Sequence, residues 1–229
     1  METETLYNPA IFKQLPYLLD AQKVFEEKGG PSLRAGAMMN CFIKHGMMNA
    51  LALILLHKHF EPPTGMALVD HNGTSIPWDL NAGTVSRDGV IQKHGGSVKP
   101  RSWYLSPEGK LVPYEFYFTH SSSPSSAYNE SVLAQMTPDF IREFSYILKS
   151  RGLEKTLGLG LVKSPLVTEI ECTEGHANIA LPVPDDTYMD SAERVEARWV
   201  YKSAADGSPT YTCQYACLRS DDTHVSGHF

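Results

Sequence analysis

The chain predicts an α+β fold, a mostly antiparallel sheet packed against a few helices, in a single domain over residues 1–229. Three observations carry this reading. Apolar residues recur at helical spacing only near the start and in the middle of the chain. Short apolar or alternating runs, punctuated by turn residues, fill much of the remainder. No internal repeat or long linker divides the sequence, and 42% hydrophobic residues are enough for a sizeable core.

In PYLLDAQKVFEEKGG, Leu18, Leu19 and Ala21 to Phe25 form an apolar stripe, and Gly29-Gly30 stops the helix. PSLRAGAMMNCFIKHG predicts a second helix, with Pro31 in its first turn and Gly46 at the left-handed stop. On it Ala37, Cys41 and His45 recur every fourth residue and share one face. LALILLHKHF, EPPTG and MALVDH then read as strand, turn and strand, with a continuous helix over 31–59 as the rival. Residues 71–101 are rich in Gly, Asn, Ser and Asp and predict irregular structure. SWYL, SPEGK and LVPYEFYFT predict a hairpin, and the serine-rich HSSSPSSAYNES marks a mobile connector at 120–131.

TPDFIREFSYILKSRG is the clearest helix. Thr137 caps it, Pro138 suits its first turn, Asp139 faces the positive end of the dipole and Gly152 ends it. Beyond it TLGLGLV, VTEIEC, HANIALPV, RVEARWVYK and TYTCQYACL predict an antiparallel meander. The GLGLG stretch is no nucleotide loop, because it lies within a strand and no helix follows.

Charge and cysteine content exclude some functions. The net charge is −6 with no basic block, which argues against a nucleic-acid partner. The longest apolar run, Ala50 to Leu56, is too short to cross a bilayer, and no signal peptide is readable. Four cysteines without a secretory signal predict free thiols and a cytoplasmic location. The sequons at Asn72 and Asn129 then carry no weight. The expected partner is a small-molecule ligand or substrate, and nothing sets an oligomeric state.

The chemistry centres on histidines. On a strand, His57 and His59 point to one face together with Leu51, Leu53 and Leu55. Lys58 points to the other, and its preference for water places the histidine face inside. Two imidazoles roughly 6.6 Å apart along a strand can converge on one metal ion. The bland alternative is a pair of hydrogen-bonded histidines at a strand end. Glu115, within VPYEFYF, is either solvent-facing or an inward acid that ligates the metal or acts as a general acid or base.

CQYACLRSDDTHVSGHF contains Cys213, Cys217, His224 and His228 at zinc-like spacing. Extended backbone would hold the two cysteines about 13 Å apart, too far to share one zinc. The tail histidines, with Asp221 and Asp222, could fold back toward His57 and His59, or stay frayed in solvent. Whether Cys172, near His176, and Cys213 and Cys217 are functional or structural stays open. Cys41 reads as packing, SSSPSS contains no nucleophile elbow, and Trp78, Trp103 and Trp199 read as core or pocket lining.

LLHKHF, PYEF and the closing Cys/His segment together resemble a group of fungal proteins. In these a Leu-Leu-His-basic-His-Phe segment follows a helix ending in Lys-His-Gly, here Lys44-His45-Gly46. The resemblance implies that the marked histidines belong to a recurring design, in a fungal-type soluble protein, with fungal specialised metabolism as the expected setting of its function. It implies no particular reaction. The functional expectation is a metal-assisted small-molecule enzyme using zinc or iron at His57, His59, His224 and His228, with Glu115 as a catalytic carboxylate. The alternatives are a non-catalytic ligand- or protein-binding module and a metal-free acid–base isomerase or cyclase.

Overall fold

A computed structural model describes residues 9–79, 96–120, 124–183 and 194–218. Helices α1 (Pro9–Gln14), α2 (Leu18–Glu27), α3 (Gly30–Leu33) and α4 (Met39–Lys44) come first, the last two joined by a π-helical turn at Arg34–Met38. Strands β1 (Leu51–Leu55), β2 (Met66–His71), β3 (Thr74–Asp79), β4 (Gly96–Leu105) and β5 (Leu111–His120) follow. Helices α5 (Pro124–Gln135) and α6 (Pro138–Arg151) lead to β6 (Leu157–Leu161), β7 (Glu169–Glu174), β8 (Ala177–Pro182), β9 (Arg194–Ser203) and β10 (Pro209–Leu218).

These strands close into a barrel in the order β1-β6-β4-β5-β2-β3-β8-β7-β10-β9, with β9 returning to β1. Two pairs, β2 with β5 and β7 with β10, are parallel. The fold is therefore a closed mixed β-barrel with a few helices, which corrects the expected α+β arrangement and its antiparallel meander. Periodicity reveals which side chains share a face, but not which strands pair. Both edges of β1 are taken by strands more than a hundred residues away, β6 and β9, and closure leaves it no free edge.

Several local expectations match the structure. Thr137 Oγ1 accepts a hydrogen bond from the Phe140 amide at 3.2 Å, and Gly152 ends α6 at φ 62°. Gly46 is left-handed at φ 70°, and Leu51–Leu55 is a strand rather than the continuation of a long helix. Others differ. The region read as irregular contains β3 and the start of β4, and α5 occupies much of the expected connector at 120–131.

The barrel wall has two contrasting faces. Leu51, Leu53, Leu159, Trp199 and Tyr201 belong to one apolar cluster with Phe25, Phe42, Phe140 and Phe144 of the helices. Phe25 stacks on Trp199 at 5.2 Å, and Phe42 meets Tyr201 at 4.7 Å and the edge of Phe140 at 5.6 Å. This helix-covered outer face is the main core, with Trp103 also buried in it, while Trp78 packs in a smaller cluster with Ala67, Val69 and Phe116.

Residues opposite one another on neighbouring strands share a face, and the inner face combines a smaller apolar cluster, including Ala52, Ile54, Leu68 and Val200, with buried polar groups. Ser102 stands opposite both Glu115 and Gly160, and Arg198 opposite both Ile54 and Tyr215. GLGLG thereby acquires a packing reason. A methyl group at Gly158 would run into the Trp103 carbonyl oxygen, and one at Gly160 would lie 3.3 Å from both the Arg198 guanidinium and Ile54.

Candidate metal centre

Strand β1 ends at Leu55, two residues before the first histidine. His57 Nδ1 donates to the Leu55 carbonyl oxygen at 2.8 Å, which leaves Nε2 with its lone pair directed away from the backbone. Lys58 makes a bridge to Tyr17, and it is buried rather than exposed. Its ammonium donates to the Lys13 carbonyl oxygen and to the Glu61 carboxylate, both at 2.9 Å. The two histidines do turn inward together. They do so through this bend after β1, and not as a continuation of the face that Leu51 and Leu53 present to the helices.

The parallel pairing of β7 with β10 sets Glu171 directly opposite Cys217, so the carboxylate and the thiol project side by side. A pair of offset bulges precedes this point. Gln214 is the extra residue on β10, and Ala197 the extra residue on β9. Bulges re-aim side chains. Here the Cys213 thiol donates to the Tyr215 carbonyl oxygen at 3.1 Å, while the Cys217 sulfur meets the histidines.

Four donor atoms converge: His57 Nε2, His59 Nε2, Glu171 Oε2 and Cys217 Sγ. The His57–His59 separation is 3.0 Å and the His59–Glu171 separation 3.2 Å. Sulfur lies 3.4 Å from His57, 3.6 Å from His59 and 3.6 Å from Glu171. A tetrahedral zinc with N or O at about 2.0–2.1 Å and S at about 2.3 Å has edges of roughly 3.3 Å between light donors and roughly 3.6 Å to sulfur. Five of the six donor separations lie within about 0.3 Å of these edges.

Its protonation makes the same point. His59 Nε2–H donates to Glu171, and the thiol can donate to one neighbour. His57 offers only a lone pair, so two protons serve a cluster of four donors, whereas one cation would satisfy all four. Burial and the neighbouring His59 hold the His57 imidazole down at about 4, so it is neutral at physiological pH. Burial pushes the Glu171 carboxyl up, but the His59 hydrogen bond and the charges of His59, His57 and Arg101 outweigh it and hold it down at about 2. Burial, then Glu171, pushes the Cys217 thiol well up, so ligation would have to displace its proton.

Of the expected ligands, two come together and the others do not join them among the described residues. His57 and His59 stand together. Glu115 faces the inner cavity, accepting a hydrogen bond from Ser102 Oγ at 2.7 Å, and is not among the grouped donors. His224 and His228 lie outside the described residues. Glu171 and Cys217 were not expected as partners of the histidines. Glu171 shows in sequence only as an acid alternating with Ile170, and Cys217 only as half of a cysteine pair that extended backbone keeps apart.

All four cysteines are free thiols. Cys172 stands opposite Ile179, and His176 packs against Phe60 at 5.4 Å. A second group, Cys41, His45 and Glu143, joins α4 to α6. There Glu143 is already held by Lys44 at 2.6 Å and His45 at 2.9 Å, and burial pushes the Cys41 thiol up to about 12. That group reads as a helix-to-helix contact.

His57, His59 and Glu171 line a cavity of about 40 Å³ that also meets Arg101, Arg198, Glu115 and Tyr215. This is room for only a few waters or a small chemical group. Cys217, fully buried, stands behind the other three donors. A larger cleft of about 770 Å³ reaches Arg101 and Arg198 too, and is further lined by Asp70, Tyr117 and Lys163.

Comparisons with protein-family models, curated proteins and solved structures yield no match, so the site is read from its own geometry. Among the described residues no helix is long and apolar enough to cross a membrane.

Proposed function

We propose that the chain is a metal-assisted enzyme acting on a small molecule, with one zinc ion held by His57, His59, Glu171 and Cys217. The observation that carries this is five of the six donor separations, 3.0 to 3.6 Å, which match the edges of a tetrahedral site. A thiolate with two imidazoles and a carboxylate favours zinc over harder cations, with iron as the other metal such a donor set accepts. The His57 Nδ1–H bond to the Leu55 carbonyl oxygen is the kind of outer contact that orients a ligating imidazole.

A catalytic reading is supported by the placement of the cavity. The three donors His57, His59 and Glu171 border it, while the sulfur closes the site from behind. When bound, zinc supplies Lewis acidity for a carbonyl or for water. Glu115, fixed by Ser102 on the same wall, is placed to accept or return a proton. Arg101 and Arg198 oppose the cluster with positive charge.

Four protein donors also fit a closed structural zinc, which is the second reading. Purified protein is expected to contain one metal per chain, and the His57→Ala/His59→Ala variant none. A folded protein that neither retains nor takes up zinc or iron would remove both readings. Cobalt-substituted protein separates them. Azide shifts the visible bands if the cavity side of the metal accepts a ligand, and leaves them unchanged if the site is closed.

A further inference from the structure

Arg198 is 5% exposed and stands on the inner face of β9. Its guanidinium donates to the Leu161 carbonyl oxygen at 3.1 Å and to Ser102 Oγ at 3.4 Å, and lies over the Tyr215 ring at 4.6 Å. None of these neighbours is an anion. The other two cations of the region are paired, Arg101 with Asp70 at 2.8 Å and Lys163 with Glu169 at 2.5 Å. Among the described residues no carboxylate forms an ion pair with Arg198. Glu115 is linked to it through one hydroxyl, Ser102, whose single proton is donated to Glu115. A buried guanidinium without a counter-charge is costly to keep.

Position gives that cost a use. Arg198 lines both the inner cavity beside the histidines and the outer cleft. The space for its guanidinium is built by Gly160, where any side chain would crowd it. We propose that Arg198 is the carboxylate-binding residue of this site, and that the substrate is a small monocarboxylic acid. Its charged end rests on the guanidinium, and its body lies in the cleft. A planar carboxylate matches the guanidinium fork. Arg101, Arg198 and Lys163 are matched in number by Asp70, Glu115 and Glu169, so a monoanion adds less repulsion than a phosphate dianion would. The proposal rests on the metal reading for the chemistry, but carboxylate binding does not require the metal.

The test is calorimetric titration of the full chain with butanoate, with butylammonium and inorganic phosphate as charge controls, in zinc-loaded and chelator-treated protein. Butanoate is expected to bind one-to-one in both states, at least tenfold more tightly than either control. Arg198→Gln should weaken it tenfold or more, and Arg198→Lys by less, with zinc stoichiometry unchanged. If Arg198→Gln does not fold, Gly160→Ala crowds the same guanidinium and should weaken binding at least threefold. Equal butanoate affinity in the variant overturns the assignment, as does tighter phosphate binding. Binding that vanishes with zinc would place the carboxylate on the metal and also overturn it. Binding that persists in protein with no metal affinity would sink the metal reading alone.

Discussion

The two faces of strands β1 and β9 are built on opposite principles. Outward, Leu51, Leu53, Trp199 and Tyr201 meet the helices in an apolar layer of stacked and edge-on rings. Inward, Arg198 belongs to a lining that includes Glu115 and Tyr215, the bend after β1 adds His57 and His59, and Ala52, Ile54 and Val200 form a smaller apolar cluster beside them. The same strands thus supply stability on one side and chemistry on the other. Because the helices bury the outer face in the larger core, the barrel can carry buried polar groups beside the smaller apolar cluster of its interior. Many small barrels fill their interior with side chains to form the core. Here the principal core lies outside the wall.

This division implies that each face can be damaged separately. The largest effect belongs to the inner face. The His57→Ala/His59→Ala variant is expected to lose metal binding completely while its far-ultraviolet circular dichroism stays native, as measured alongside elemental analysis. Next comes the outer face. Phe42→Ala removes a fully buried ring and should cost about 3–5 kcal/mol in denaturant unfolding, with metal stoichiometry unchanged. If Phe42→Ala emptied the metal site, the two faces would be one cooperative unit and the contrast would fail.

Acid should act on the inner face. In metal-free protein His57 titrates at about 4 in the fold against an ordinary 6.5, so the unfolded chain binds the extra proton between these values. Stability is therefore present above pH 6.5 and falls as pH drops toward 4. Glu171, at about 2 against 4.5, extends the loss from pH 4.5 toward 2. Together these should remove a few kcal/mol, on the order of 3 from His57 alone, and the test is urea unfolding at pH 7, pH 4.5 and pH 3. A Glu171→Gln/His57→Gln variant should flatten the slope. An unchanged slope would show that these groups do not control it. The smallest effect is expected far from both faces. Thr137→Ala removes the cap of α6 and should cost about 1 kcal/mol, read as a small shift in unfolding midpoint without change in metal content.

Local rules made much of the chain legible. The cap at Thr137, the stops at Gly46 and Gly152 and the strand over Leu51–Leu55 follow from short-range sterics and hydrogen bonding. The two histidines were visible as a neighbouring pair, but a bend after β1, rather than strand alternation, turns them inward, and Lys58 between them is buried. The acceptors of Lys13 and Glu61 and a backbone bridge to Tyr17 hold Lys58 in place, and only Glu61, three residues on, lies near it in sequence.

Closure of the barrel, the bulges at Gln214 and Ala197, and the parallel register of Glu171 with Cys217 were decided only by tertiary structure. Strand periodicity is a property of a few consecutive residues and survives in the linear sequence. Partner choice and register are set by the packing of the whole wall. The other half of the donor set, 46 positions apart in the chain, exists only once that wall is assembled.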